Sequence, residues 1–583
     1  MNIENNPAEI ASIESITRIK ECIDSNKSFR LEAGAGAGKT YSLIESLKYI
    51  ISNKADNLID KRIACITYTN IAKEEILNRT DNHPLIYANT IHSFCWELIQ
   101  PFQLNLRNII VDLSDKWREK VQITALTNQQ IKYDLGIMKL SDTEAFLHHD
   151  DVIKCMSKLL SLPKFQKYLK TKFPIVFIDE YQDTDKILAT NLVNYLIEND
   201  SGVLVGFFGD HWQKIYGKNA CGLINTPSGK IVEINKNANF RSDKNIVDCL
   251  NRIRKELPQN EYDPTSKGVV KIFHSNNWSG ERQSLNHWQG DLPKEEAKNY
   301  IDQIKIRLLQ DGWDFNNSSQ TKILFLTNNL IATEQGFKNL ADCFEYTDDY
   351  LKKNDPYLKF FLEFLEPIIL AFNEKKFGKI FQILGTKKPN LLCQNDKIKW
   401  SNHFSELVNL RETGTIKDLI KLIAENNIIG FSASLERCEN KLSKLIQDTQ
   451  IERNEDDNNF VAKVSKLYNI KYCEVISLGE YIEEKTPFST KHGVKGAEFN
   501  NVFVVLGRGW NNYNWDQLLL WMKNGIPNGK DEAFERNRNL FYVCCSRAKH
   551  NLTLLFTQSL SSNSLLMLEE IFGAENITGD PLY

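Results

Sequence analysis

Ala33-Gly34-Ala35-Gly36-Ala37-Gly38-Lys39-Thr40 is the stretch on which the reading of the chain turns, because it has the composition and ending of a phosphate-cradling loop. An extended Phe29-Arg30-Leu31-Glu32 precedes it, and an apolar-periodic run (Tyr41, Leu43, Ile44, Leu47, Ile50, Ile51) follows. The local order is therefore strand, glycine turn, helix. Glycines at 34, 36 and 38 let backbone N–H groups turn inward around phosphates. Lys39 places an ammonium on the terminal phosphates, and the Thr40 hydroxyl can ligate Mg²⁺. Ala33 stands where the pattern usually has its first glycine. The competing reading is a glycine-rich turn with a surface lysine.

The chain has 583 residues, room for about three to five domains. It is 42% apolar and 25% charged, the balance of an ordinary soluble globular protein. A net charge of −3 excludes a globally basic DNA-coating protein, so any nucleic-acid contact must come from local grooves. There is no apolar run of about 18 residues and the N-terminus is polar, so neither a membrane span nor a signal peptide is expected. The twelve cysteines are scattered, Cys544-Cys545 being the only adjacent pair, and none forms C-x-x-C. Reduced thiols in a cytoplasmic protein fit this better than disulfides, a zinc ribbon or a four-cysteine iron–sulfur cluster.

Further along, Arg62–Thr69 alternates into a short apolar strand and Asn70–Leu77 begins a helix, a second strand–helix unit of an α/β layer. Thr90-Ile91-His92-Ser93-Phe94 reads as a compact polar-aromatic turn. In Phe173–Asp183 (FPIVFIDEYQD) a buried strand ends in two adjacent carboxylates. In a P-loop protein Asp179 would hold Mg²⁺ and Glu180 would polarise the attacking water; the alternative is an acidic helix cap. Gly202–Phe208 is another apolar strand, and Gln213 beyond it is placed to sense a γ-phosphate. The cluster His148-His149-Asp150-Asp151 reads as helix capping rather than a metal site, since adjacent residues on a helix point in different directions. Glu452–Asp457 (ERNEDD) reads as a solvated linker.

Taken in order, these blocks resemble the UvrD/Rep/PcrA-like superfamily 1 DNA helicases. The P-loop resembles that family's AGAGSGKT, Ile66–Arg79 its TFTNKAA block, Thr90–Phe94 its TFHSF and Phe177–Thr184 its VDEFQDT. Gly209–Tyr216 resembles GDDDQSIY, Asn239–Ser242 resembles NYRS, and the blocks at 489–499 and 536–549 resemble THSAKGLEF and RRLLYVAITRAK. The resemblance implies that Gln213 couples the γ-phosphate to the DNA groove, that Arg241 and Arg547 are arginine fingers, and that Glu498 touches the ribose. Phe240 sits where an adenine-stacking tyrosine is usual. Tyr68 and Tyr216 match positions that stack on single-stranded bases, and Thr90, His92, Thr490 and His492 match the backbone-contacting blocks. Two departures stand out. No glutamine precedes Lys39, where the family has one that reads adenine, and Lys218-Asn219-Ala220 replaces a Trp-Arg-Gly. Trp212 reads as core packing.

The implied fold is α/β, with two RecA-like P-loop motor domains built on parallel sheets flanked by helices, each carrying a helical insert. Motif spacing puts the first motor domain at 1–92 and 146–235 with a short helical insert at 93–145. The second falls at 236–345 and 470–583, with an insert at 346–469. The implied activity is an ATP-dependent, Mg²⁺-requiring translocase or helicase on single-stranded DNA or DNA with single-stranded tails, moving 3′→5′. An alternative is an ATP-gated DNA sensor that regulates a partner nuclease; an RNA helicase is disfavoured because TIHSF and SRAK resemble the DNA branch. The short length, with NFRS and IDEYQD, also resembles the helicase subunit of Gabija-type phage-defence systems.

Overall fold

The computed structural model describes residues 6–123, 126–134, 138–215, 219–226, 228–285, 287–325, 332–385, 391–426, 428–447, 453–483, 485–490, 496–508, 513–579 and 581. In chain order the strands are β1 (Phe29–Ala33), β2 (Ile63–Thr67), β3 (Ile86–Thr90), β4 (Gln130–Lys132), β5 (Lys139–Leu140), β6 (Glu144–Phe146), β7 (Ile175–Asp179), β8 (Leu204–Gly209) and β9 (Val232–Lys236). They continue with β10 (Ala238–Asn239), β11 (Asn260–Glu261), β12 (Val269–His274), β13 (Thr321–Phe325), β14 (Phe488–Thr490), β15 (Phe499–Leu506), β16 (Ala548–Phe556) and β17 (Ile577–Gly579). The chain forms two compact units, Met1–Pro293 with Val494–Tyr583, and Lys294–Gly493.

The first unit is built on two parallel sheets. One has the order β3-β2-β7-β8-β1-β9, with every pairing parallel. Its strands β1, β2, β7 and β8 are buried along their whole length. Central parallel strands covered on both faces read as near-continuous apolar runs, as β2, β7 and β8 do, whereas β1 carries the buried charges Arg30 and Glu32 between its apolar residues. Phe29, Phe177 and Phe208 pack edge to face between them, with centroids 5.3–5.9 Å apart. The second sheet runs β15-β16-β12-β17 within this unit, again parallel. Strands β1, β7 and β8 run parallel and end within two residues of one another, Asp179 pairing with Phe208 and Glu32 with Gly209, so the glycine loop, the two acids and Asp210 share one sheet edge. The carboxyl ends of parallel strands are where ligands of such sheets lie.

Helices α1 (Pro7–Asp24) and α2 (Lys39–Lys54) pack on this sheet, followed by α3 (Asn70–Arg79) and α4 (Ile91–Ile99). The sequence TIHSF was expected to be a turn. Instead Thr90 ends β3 and Ile91 opens α4, because Phe94, Cys95, Leu98 and Ile99 form an apolar helical stripe that is buried. The stretch 93–145, expected to be helical alone, also holds the small sheet β4-β6-β5. Leu106, Trp117, Ile131 and Ala145 of that stretch share one core with Val176 and Ile178.

The second unit is mainly helical and takes in more chain than the 346–469 stretch expected as an insert. Strands β13 and β14 pair in parallel within it, Phe325 stacking on Phe488 at 5.8 Å. The acidic run expected as a linker instead opens the helix Glu455–Tyr468, with Asn454 as its cap. Three acids in a first turn favour helix over linker, since the helix dipole stabilises negative charge there.

Candidate nucleotide cleft and adjoining groove

β1 delivers the chain into Gly34–Gly38, and α2 starts at Lys39. Gly36 and Gly38 adopt left-handed backbone angles (φ 76° and 74°), a conformation only glycine takes without strain. Gly36 is also crowded from the far side: a Cβ there would lie 2.7 Å from Arg241 Cβ and 2.7 Å from Asn239 Oδ1. The loop is therefore met directly by the Asn239–Ser242 segment. Asn239 Nδ2 donates to the Ala35 carbonyl at 3.2 Å, the Phe240 N–H to that of Gly36 at 2.9 Å, and the Tyr542 hydroxyl accepts from the Ala35 N–H at 3.2 Å.

These contacts enclose a cleft of about 290 Å³, lined by residues 34–40 together with Glu180, Gln213, Phe240, Arg241, Glu498 and Arg547. Every residue expected at the nucleotide lies on it except Ala33, which ends β1 behind the loop, and Asp179, which borders the adjoining groove. Tyr41 and Arg79 also line the cleft, and the sequence reading assigned neither.

The charges of the cleft are held by one another. Lys39 Nζ lies 2.8 Å from Glu180 Oε2. Burial alone would lower the Lys39 pKa, but Glu180, Asp179 and Asp210 overcome it and raise the pKa above the usual lysine value. Asp179 is pushed up to about 7 by burial and by the neighbouring Glu180 carboxylate. Glu180 itself sits in the left-handed region (φ 49°), a backbone strain that collects at functional positions. Gln182, fully buried, donates to Glu180 Oε2 at 2.5 Å and accepts from the Asp210 N–H at 3.1 Å, fixing the carboxylate against the end of β8.

On the far wall Arg241 Nε pairs with Glu498 Oε2 at 2.9 Å, and Lys549 meets the other oxygen of Glu498 at 2.7 Å. Arg547 is fully buried; burial and the adjacent Arg241 guanidinium pull its pKa down to about 9. A buried guanidinium penalised by a second beside it is suited to meeting an anion. Arg547 Nη2 donates to Gln213 Oε1 at 3.3 Å, and Gln213 Nε2 donates to Asp210 Oδ2 at 2.8 Å. Asp210 in turn takes Arg254 Nη1 at 2.6 Å. Arg254 was missed in the sequence, because nothing in its local pattern marks it.

Among the described residues, the one grouping with metal-ligand spacing is Glu32, Asp210 and His211. It is already filled by protein cations: Arg254 on Asp210, and Arg30 on Glu32 at 3.1 Å, with the Tyr181 hydroxyl donating to the same carboxylate. His148 caps the helix His149–Leu159 in a reciprocal arrangement with Asp151, as the capping reading expected.

A groove of about 690 Å³ opens beside the cleft, with Asp179 and Glu180 on its floor. Tyr68 and His92 line it, and so do Asn219 and Ala220 of the departure from Trp-Arg-Gly. Tyr68 is half exposed. His92 packs on His149 at 5.4 Å, and burial lowers its pKa. Thr90 lies at the N-terminal cap of α4, its hydroxyl donating to Ser93 Oγ at 3.1 Å. Thr490 ends β14 in the second unit. Tyr216, Lys218 and His492 lie outside the described residues. Trp212 is core: it is 5% exposed, with Arg538 over its ring at 3.8 Å and Tyr542 at 5.6 Å. All twelve cysteines are free, and no described helix is long and apolar enough to cross a membrane.

A glycine loop and paired acids on one parallel sheet, faced by two arginines from beside a second, define a P-loop motor with two RecA-like domains. Comparison with known proteins gives the particular lineage. Residues 19–219 match an AAA domain and residues 234–559 the UvrD-like helicase C-terminal domain, and the chain belongs to the UvrD-like helicase family. It is 25% identical to the Gabija protein GajB of Bacillus cereus, covering 96% of this chain and 97% of that one. It is 23% identical to the ATP-dependent DNA helicase PcrA of Staphylococcus epidermidis (92% and 83% covered) and 22% identical to that of Staphylococcus aureus (90% and 81%).

Proposed function

We propose that this chain is an ATP-driven translocase on single-stranded DNA, moving 3′→5′ and powered by hydrolysis in the cleft of Lys39, Glu180, Gln213, Arg241 and Arg547. That it is an ATP-dependent DNA helicase follows from its family and relatives. The observation that carries the finer reading is that Glu180 lines both the cleft and the groove. On the cleft side, Gln213 joins Arg547 to Asp210 just past the end of β8. The motor domains would be 1–92 with 146–235, and 236–345 with 470–583.

In this reading Lys39 and the loop amides hold the β- and γ-phosphates, and Arg241 and Arg547 stabilise charge on the transferring phosphoryl group. Glu180 orients water, Phe240 stacks on the base and Glu498 meets the ribose. The donor set suits a divalent cation, because Asp179 is a buried carboxylate whose charge is penalised by burial and by Glu180, and Thr40, in the first turn of α2, lines the cleft. Mg²⁺ held by Asp179 and Thr40 would neutralise phosphate charge. Tyr68 and Tyr216 would stack on bases, and Thr90, His92, Thr490 and His492 would grip the strand backbone.

Similarity to a Gabija protein over nearly the whole of both chains favours one second reading, an ATP-gated DNA sensor working with a partner nuclease in antiphage defence. Strand-displacement and translocation assays on matched DNA and RNA separate the two. Directional displacement of DNA supports the motor. DNA-stimulated hydrolysis without displacement supports the sensor, and equal activity on RNA refutes both.

A further inference from the structure

Gly34 does not take the left-handed angles of Gly36 and Gly38, so its missing side chain answers to something else. A Cβ there would lie 2.8 Å from Gln259 Nε2 and 3.0 Å from the Tyr542 hydroxyl oxygen. Gln259 stands 224 positions from Ala35, immediately before β11, in no block that the sequence reading singled out. It is 4% exposed and does not line the cleft.

Its amide is nonetheless committed to the glycine loop. Nε2 donates to the Ala35 carbonyl at 3.2 Å and to the Ala238 carbonyl at 2.8 Å, and Oε1 accepts from Asn239 Nδ2 at 3.2 Å. The Gln259 backbone is held in turn by Asn251 of the helix Lys244–Ile253. Its N–H donates to Asn251 Oδ1 at 2.7 Å, and its carbonyl accepts from Asn251 Nδ2 at 2.8 Å. Asn239, fully buried, completes the bridge: Nδ2 shares the Ala35 carbonyl, and Oδ1 accepts from the Arg241 and Ser242 N–H groups, both at 2.9 Å. A carboxamide has two N–H donors and two acceptor positions, and Asn239 uses all four. The same side of the loop is held further along, where buried Lys236, the last residue of β9, donates to the Gly38 carbonyl at 3.2 Å and the Ser42 hydroxyl at 2.7 Å.

We propose that Gln259 is a positioning residue for phosphoryl transfer: through Asn239 it joins the glycine loop to the turn that carries Arg241, so that the guanidinium is in register with the phosphate the loop holds. Gln259 fixes the orientation of the Asn239 amide, and that amide holds the Ala35 carbonyl on one side and the Arg241 N–H on the other. Without Gln259, Asn239 loses one partner and the Ala35 carbonyl loses one of its two donors. A displacement of about 1 Å at a reacting group can cost about 10²-fold in rate, so a modest loosening here is felt in turnover. Binding of the triphosphate rests on Lys39 and the loop amides and is largely spared. The assignment rests on the proposed roles of the loop and of Arg241, and adds the residue that sets one against the other.

The test is a double-mutant cycle of Gln259→Met with Arg241→Ala in the full chain. Single-turnover ATP hydrolysis, ATP affinity by competition with a fluorescent analogue, and melting temperature are read for each variant. Gln259→Met keeps most of the volume and removes the amide. It should slow hydrolysis by about tenfold or more while the Kd for ATP stays within about threefold of wild type. With Arg241→Ala already present, the same substitution should slow hydrolysis no further, although it lowers the melting temperature by the same amount in both backgrounds. A merely structural glutamine would slow both backgrounds by one factor. Should Gln259→Met unfold, Gln259→Glu is read the same way, since it keeps the shape but sets a carboxylate against the Ala35 and Ala238 carbonyls. Hydrolysis at the wild-type rate in the Gln259 variant, or an equal loss in both backgrounds, would overturn the positioning role alone. Unchanged hydrolysis in Arg241→Ala by itself would sink the arginine reading on which it rests.

Discussion

Arg254→Met is the substitution whose cost the structure defines best. Arg254 follows the helix Lys244–Ile253, and its guanidinium enters between Trp212 (5.2 Å) and Tyr542 (5.6 Å) to reach Asp210 Oδ1 at 2.6 Å. The two side chains are 2% and 0% exposed. Methionine keeps most of the volume, so the cavity contribution is small, and the main cost is an uncompensated buried carboxylate, about 3–5 kcal/mol. Asp210 retains the Trp212 N–H at 3.0 Å and Gln213 at 2.8 Å, which argues for the lower end, about 3 kcal/mol. Asp210→Asn should cost less, because Arg254 keeps Glu256 at 3.3 Å. The assay is a double-mutant cycle read from urea unfolding of the transition that includes this unit. The pair should couple by about 2 kcal/mol or more, with the double variant more stable than the sum of the singles predicts. Coupling below about 0.5 kcal/mol would refute the argument. Because Asp210 also holds Gln213, a double variant that recovers stability should still lose DNA stimulation of hydrolysis. Recovery of both would leave the pair a purely structural role.

Glu180→Gln should bind ATP and hydrolyse it about 10²–10⁴-fold more slowly, checked by single-turnover hydrolysis; unchanged turnover would reassign the base. Gln213→Ala should retain much of its DNA binding while losing DNA-stimulated hydrolysis, a split measured by fluorescence anisotropy beside steady-state ATPase rates. Lys236 has a pKa of about 8 in the fold against an ordinary 10.5. Between those values the unfolded chain binds the extra proton, so folding gains stability as pH rises, and below pH 8 this contribution is flat. The melting temperature of wild type relative to Lys236→Met should therefore climb from about pH 8 to pH 10, and a level difference across that range would show that Lys236 is not desolvated.

The elements legible in the sequence are those whose residues face one environment along their whole length. Ile175–Asp179 lies inside the apolar run read as a strand, and Leu204–Gly209 overlaps the run read at 202–208. β5 could not be found this way, since two residues cannot show a period. The acidic run before Glu455–Tyr468 misled for a related reason: acids at a helix start resemble a solvated linker until the helix beyond them is recognised. At the site, the motif residues were legible because each sits at the end of a strand or the start of a helix that announces itself. Lys236 and Arg254 were not. Lys236 reaches Gly38 across 198 positions and Arg254 reaches Asp210 across 44, and both act through partners that only the packed sheets bring near.

The same packing sets the terms on which a nucleotide would enter. Lys39 is held by Glu180, Arg241 by Glu498, and Arg547 donates to Gln213, so each cation proposed for the phosphates already has a protein group upon it. Binding of a triphosphate would then be an exchange rather than an addition. Lys39 would leave Glu180 for phosphate, and the freed carboxylate could turn to water; Arg241 would leave Glu498, freeing it for the ribose. Attraction to phosphate is offset by the loss of those pairs, so net affinity stays modest even though the local interactions are strong. The exchange would also make the proposed catalytic carboxylate, Glu180, available only when phosphate has replaced it on Lys39. Under the proposed function, hydrolytic competence would thereby be linked to occupancy, and Gln213, bonded to both Arg547 and Asp210, would carry the displacement on the arginine side back to the end of β8.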